Sequence, residues 1–399
     1  MVGRSLSFCV RALLLFVALI CMPACVAQAP SAGRVVDLTA ADGTKLKATY
    51  FAAAKAGPGV LLLHQCNRQR KVWDDLAGKM AAAGINVLTV DQRGFGESGG
   101  EPFAKLPPEE AAKIETEKRP GDIDTAFQYL VSQTGVTKDM IGVGGASCGF
   151  NYSIQAARRH PEVKSLVLLS GGTDVAGRQF LREATKLPAF FAAADDDEFP
   201  GTVLIVEWLY SIAADPEKML VHYATGGHGA DMFRVHPELE GRIVDWYVTT
   251  LITTPGHAAV PEEAPVLSPE VAVLELIDQP GGADKVAQKL EQAWQKDPKA
   301  TLFPEDVVNI IGYEHLQAGD REGAIAILKL NAEAYPNSPN VYDSLSDAYL
   351  ANGEKDLARR NAKRALELLP SDTKDNEQRR GAIRASAEQK LKQLGNAPR

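Results

Sequence analysis

From residue 35 to residue 251, short apolar runs alternate with stretches of helical spacing. Residues 35–39 and 45–51 bracket Ala41-Asp42-Gly43, which predicts a hairpin. Residues 59–63 form a continuous apolar run, the mark of a strand buried on both faces. Residues 73–83 have helical spacing and stop at Gly84, and 85–90 predicts the next strand. A helix is predicted over 122–133, with Ile123, Ala126, Phe127 and Leu130 on one face. Apolar runs at 140–143, 163–169, 189–193 and 219–223 supply the remaining strands, and 152–160 and 242–250 read as helices. This alternation implies an α/β fold, a mostly parallel sheet covered on both faces.

The pattern changes after residue 252. Residues 253–281 are rich in Pro, Ala and Glu and read as a linker, with a short helix near 271–277. An all-α domain over 282–396 is predicted to follow, opening with a helix at 283–294. A repeat then appears: Gly319 and Gly353, Ala324 and Ala358, and Pro336 and Pro370 are each 34 positions apart. Each unit reads helix, glycine turn, helix, proline stop. Small residues are needed where paired helices touch. Ile311-Gly312 with Ala324, and Leu345-Ser346 with Ala358, sit at those places, with Tyr349 in an aromatic slot. The period resembles that of tetratricopeptide proteins, with units at 305–338 and 339–372. Two units are fewer than such arrays usually need, so the helix at 283 and the charged helix at 376–394 are expected to cap them. The resemblance implies a protein partner or self-association; as a bland alternative, two short repeats merely dock on the first domain and stabilise it or a dimer.

The chain opens with Arg4 and Arg11 around an apolar run at 12–20, too short to span a bilayer, which needs about 20 residues. This is the pattern of a bacterial secretory signal, with a spacer at 28–34. Cleavage after Ala27 would release a soluble periplasmic protein. Met22-Pro23-Ala24-Cys25 loosely resembles a lipobox, which would end the signal at residue 24 and leave Cys25 lipidated, an outer-membrane lipoprotein whose only membrane contact is that anchor. A net charge of -8 without a long basic run argues against nucleic acid. The seven histidines show no metal-ligand spacing, H-E-x-x-H is absent, and there is no dinucleotide loop, so neither metal nor cofactor is expected. Of the five cysteines, Cys9 and Cys21 leave with the signal, while Cys66 and Cys148 remain. Export permits a disulfide without requiring one.

The chemistry centres on Gly145-Ala146-Ser147-Cys148-Gly149, between an apolar run and a helix. Strand, glycine turn, helix is the setting of a G-x-S-x-G nucleophile elbow. Ser147 is expected at its strained tip, with Gly145 and Gly149 where a β-carbon would collide, and with the Cys148 amide pointing at a bound carbonyl oxygen. On these motifs residues 35–252 resemble the α/β-hydrolase superfamily, within it the dienelactone-hydrolase-like group. That resemblance implies the order Ser, acid, His. His228, in Thr225-Gly226-Gly227-His228-Gly229, follows the last strand, where the family places its base; as a bland alternative it is a polar loop residue. His222 lies inside that strand and reads as structural, and His160, before Pro161, as a helix-end residue. Counting from Pro188 makes Asp197 the acid, whereas counting back from Pro200 favours Asp196.

The second oxyanion donor is expected in His64-Gln65-Cys66-Asn67, where many relatives have His-Gly. Matching positions favours the Cys66 amide beside that of Cys148, with Gln65 second, and leaves His64 structural. Asp91 and Arg93 are expected to hold loops together, with a direct substrate contact as the other reading of Arg93. If Cys66 and Cys148 are both oxyanion residues, oxidation could join them should their α-carbons lie about 4.4–6.8 Å apart; two free thiols is the other outcome. Dienelactone hydrolases use cysteine as nucleophile, but here the central position of the elbow is Ser147, not Cys148. Residues 170–187 hold only about one helix, so no bulky lid is expected there, and the insertion at 99–121 is the candidate cover. The expected function is an exported serine hydrolase acting on an ester or related acyl bond of a small substrate, with peptidase and thioesterase readings sharing the same machinery. The alternative is a non-catalytic tetratricopeptide scaffold with a degenerate hydrolase domain.

Overall fold

The computed structural model describes residues 32–260 and 263–395. The expected signal, Cys25 and most of the spacer lie outside the described residues. Eight strands form one sheet: β1 (Arg34–Thr39), β2 (Lys45–Phe51), β3 (Gly57–Leu63), β4 (Asn86–Val90), β5 (Val136–Ala146), β6 (Val163–Leu169), β7 (Ala189–Ala194) and β8 (Lys218–Tyr223). Their order is β1-β2-β4-β3-β5-β6-β7-β8. Strand β2 is antiparallel to both β1 and β4, and every other pairing is parallel. Successive side chains of a strand point to opposite faces. Leu61 and Leu63 of β3 therefore join one core with Phe127, Ile154 and Phe191, while Val60 and Leu62 join another with Phe190, Trp246 and Tyr247. Strand β5 begins four residues before the predicted run because its first half is Thr137-Lys138-Asp139, exposed polar positions that carry no apolar signal.

Helices cover the sheet: α1 (Asp74–Ala82), α2 (Pro108–Lys113), α3 (Arg119–Ser132), α4 (Cys148–Arg159), α5 (Val175–Glu183), α6 (Thr202–Ile212), α7 (Met232–Val235) and α8 (Glu238–Val248). The insertion at 99–121 does not cover the site as expected. It folds into α2 and a π-helical turn at Ile114–Lys118 that runs straight into α3. Arg119, fully buried, anchors it: the guanidinium lies over Phe103 and Tyr152 and donates to the Tyr152 hydroxyl at 2.7 Å.

The C-terminal region is helical: α9 (Glu270–Ile277), α10 (Gly282–Trp294), α11 (Glu305–Gln317), α12 (Arg321–Ala334), α13 (Pro339–Ala351), α14 (Lys355–Leu368) and α15 (Glu377–Gly395). Gly319 and Gly353 end α11 and α13 with φ of 85° and 83°, a left-handed turn that a side chain would strain. Ala324 and Ala358 are fully buried where the paired helices meet.

The stretch expected as a linker is not a free tether. Its helix α9 packs Val271 and Leu274 against Leu204 and Trp208 of α6, in one apolar core with Val286 of α10 and Val307 and Ile311 of α11. An ion cluster flanks this contact. Arg178 pairs with Asp278 at 2.8 Å and with Glu314, and Arg182 pairs with Glu275 and Asp278 at 2.6 and 2.8 Å. The composition of 253–281 hid the docking, because charged residues that look solvated in sequence find buried partners across the interface.

Candidate active site

Strand β5 delivers the chain to Ser147 at φ 54° and ψ −121°, a conformation that costs of order 1–3 kcal/mol in a residue with a side chain. Two contacts hold it there. The Ser147 N–H donates to the Leu169 carbonyl at 2.9 Å, and the Ser147 carbonyl accepts from Phe150 N at 2.9 Å. A β-carbon on Gly149 would lie 2.2 Å from the Leu63 carbonyl oxygen, and one on Gly145 would lie 2.1 Å from the Gly149 carbonyl oxygen. Helix α4 therefore starts in direct contact with β3, and only glycine permits it.

His228 follows β8 on a glycine-rich loop. Its ring is 5% exposed, and Nδ1 lies 2.8 and 2.9 Å from the two carboxylate oxygens of Asp197, whose side chain is 3% exposed. A carboxylate can only accept, so Nδ1 carries the proton and Nε2 is left as an acceptor. Nε2 is buried and has no hydrogen-bond partner among the described residues. The edge of Phe199 stands against the ring, with centroids 4.6 Å apart. Asp196 faces elsewhere, accepting from Gly227 N at 2.7 Å and tying the acid loop to the histidine loop. Asp195 pairs with His222 at 2.6 Å at the surface, and His160 binds Asp124 at 2.8 Å, so neither ring is free for the site.

Cys66 and Cys148 have α-carbons 5.9 Å apart and are joined as a disulfide. Cys148 is the first residue of α4, where helix geometry leaves amides unpaired and directed outward. The Gln65 side chain has a bracing role of its own. It is fully buried, accepts from Ala230 N at 2.9 Å and donates to the His228 carbonyl at 3.3 Å and to Asn67 Oδ1 at 3.0 Å. Gln65 thus braces the loop after β3 against the histidine loop. His64 is structural: Nε2 accepts from Gln92 N at 3.0 Å, Nδ1 donates to the Gln65 carbonyl at 2.8 Å, and burial pushes its pKa down to about 4. Asp91 is buried against Arg70, and Arg93 joins Asp122 and Asp42, so both hold loops.

A cavity of about 380 Å³ opens at this point, lined by Ser147 and His228 together. Its lining also includes residues that the sequence did not suggest, among them Ser170, Phe199, Ile310 and Gln317. Ser170 has φ 41° and a buried hydroxyl without a partner among the described residues. Its signal in the sequence was faint: a serine after a strand and before Gly171-Gly172. Among the described residues, none of 99–121 lines the cavity.

Residues 55–202 match the model of the family described as serine aminopeptidase, S33. That span holds Ser147 and Asp197 and ends before His228 and the helical tail. A thiohydrolase of Aspergillus aculeatus, aneE, is 28% identical over 133 residues, which is 33% of this chain and 39% of that protein. An uncharacterized protein of Mycobacterium tuberculosis is 25% identical over 236 residues, 53% of this chain and 76% of that one. The crystal structure of the dienelactone hydrolase from Anabaena variabilis is similar with a TM-score of 0.43 and 18% identity, covering 56% of this chain and 99% of its own. The match over residues 55–202, the elbow and the mostly parallel eight-stranded sheet make this an α/β-hydrolase fold.

Proposed function

We propose that the protein is an exported serine hydrolase that cleaves an ester, thioester or related acyl bond through an acyl-enzyme on Ser147. His228 Nε2 takes the Ser147 hydroxyl proton as Oγ attacks the carbonyl carbon. The carbonyl oxygen gains the negative charge and is held by the amides of Cys66 and Cys148, donors typically worth about 3–4 kcal/mol each in barrier. Asp197 fixes the His228 tautomer and stabilises the imidazolium. The protonated Nε2 then gives its proton to the leaving group. In the second half His228 takes a proton from water, the resulting hydroxide attacks the acyl ester, and the proton returns to Oγ as the acid departs.

One observation carries this reading. Asp197 occupies one nitrogen of His228 and leaves the other without a partner, in a cavity shared with a serine held at positive φ. The thiohydrolase among the relatives is the reason to include thioesters, and the S33 family name keeps peptides within the reading. Export is supported by Arg4, Arg11 and the apolar run at 12–20, and by a cysteine pair joined as oxidising compartments allow. The period of 34, with helices α11 to α14 falling as two pairs, supports reading the tail as two tetratricopeptide-type repeats able to meet a protein partner.

The test is labelling of the folded protein by a fluorophosphonate probe. Mass spectrometry should place the adduct on Ser147, and Ser147→Ala should abolish both labelling and turnover of acyl esters. Native protein that neither labels nor turns over any acyl ester would favour the scaffold reading.

A further inference from the structure

The cavity beside Ser147 is built from two parts of the chain that the sequence keeps far apart. The sheet domain supplies Ser147, His228, Phe199 and Ile205, and helix α11 of the tail supplies Ile310, Glu314 and Gln317. Steps of four and three residues put these three on one face of α11. The adjacent Ile311 is buried in the core shared with Trp208 of α6, so that helix is seated on the sheet domain. Glu314 is locked by Arg178, which also donates to the Thr173 carbonyl at 2.8 Å, and His315 is locked by Asp278 at 3.1 Å. Among the described residues few large apolar side chains are exposed, and two of them, Phe199 at 53% and Ile310 at 42%, line this one cavity from its two sides. Exposed apolar groups that converge on a nucleophile ask for an apolar occupant.

We infer that α11 is the acyl-binding wall of the active site, and that Ile310 is a specificity-determining residue for a medium-length apolar acyl chain. This rests on Ser147 being the nucleophile. The cavity has room for about a dozen non-hydrogen atoms at roughly 30 Å³ each, enough for an acyl chain of intermediate length. The tail is then part of the enzyme's substrate site, whatever its outer faces bind.

The experiment measures kcat/KM for acetyl, butyryl, hexanoyl and octanoyl p-nitrophenyl esters with the full chain, Ile310→Ala and Ile310→Trp. Ile310 is half exposed, so both variants should fold. Each methylene held by an apolar wall should change kcat/KM by roughly fourfold. Ile310→Trp should lower the octanoyl-to-acetyl ratio by at least about tenfold, and Ile310→Ala should shift the optimum to longer chains. Unchanged profiles, or shifts of the same sign in both variants, would overturn the inference while leaving Ser147 in its role. Labelling at Ser147 without turnover of any of these esters would overturn the inference alone, whereas native protein that neither labels nor turns over any acyl ester would remove the serine-hydrolase reading, and the inference with it.

Discussion

Asp196 and Asp197 are neighbours in the chain, yet they face different partners. Asp197 holds the His228 ring from within the protein, while Asp196 caps a backbone amide of the same loop. Replacing Asp197 by Asn should let the ring adopt the wrong tautomer and lower kcat by on the order of 10³–10⁴-fold. Asp196→Asn keeps an acceptor for the Gly227 amide and should change kcat by less than about tenfold. Steady-state kinetics at neutral pH, with circular dichroism to check folding, measures both, and equal losses would contradict the assignment. The sequence pointed to the acidic run but left two counts in competition, because loop residues obey no period. Gln65 was harder still to read: the partners it braces lie more than 160 positions along the chain, a distance no local pattern spans.

The strand–turn–helix at β5 and α4 was legible as an element because its glycines are required by contact. Gly149→Ala would force a β-carbon to within 2.2 Å of the Leu63 carbonyl, a backbone atom that cannot swing aside. We expect a loss of about 2–4 kcal/mol, read as a lower urea midpoint, together with loss of turnover as the elbow shifts. The Cys66–Cys148 bond ties the loop after β3 to the start of α4 across 82 positions. In the chain-entropy account, closing such a loop is worth about 4–5 kcal/mol. Reduction should therefore lower the urea midpoint clearly, and equal midpoints with and without reductant would mean the pair is not bonded in solution. Strands β3 and β7 were visible in sequence because burial on both faces makes them almost uniformly apolar. The helix α2 and its π-helical turn were not, because Pro, Glu and Lys there read as loop and the anchoring Arg119 reads as surface.

At the scale of the molecule, the seam between the sheet domain and the tail carries titrating groups. Burial pushes the Glu314 pKa from an ordinary 4.5 up to about 6, against the pull of Arg178, with Asp278 and Asp174 adding to the rise. Burial opposes charge on His315, but Asp278 and Asp320 outweigh it and raise its pKa above 6.5, with Arg178 opposing. Burial likewise opposes charge on Asp278, yet His315, Arg178 and Arg182 hold it well below the carboxylate range. Both raised groups favour the folded state when protonated. Their contributions are complete below the unfolded values of 4.5 and 6.5 and are withdrawn as pH climbs through the raised ones. The Asp278 contribution is present above 3.8 and fails only as pH falls beneath it. The seam should hold best between about pH 4 and 5, and the melting temperature should drop by a few degrees between about pH 5 and 8. Thermal melts across that range test this, and His315→Gln should flatten the upper part of the curve.

With Ser147 as the proposed nucleophile, the seating of α11 in its cavity would also link events on the two ends of the tail. A protein that gripped α12 to α14 and favoured one tilt of that packing would alter how well the enzyme holds its acyl group. The acyl group would in turn alter the grip by the same factor, since coupling free energy has no direction. Recruitment and turnover would then report on one another, with no second catalytic centre required.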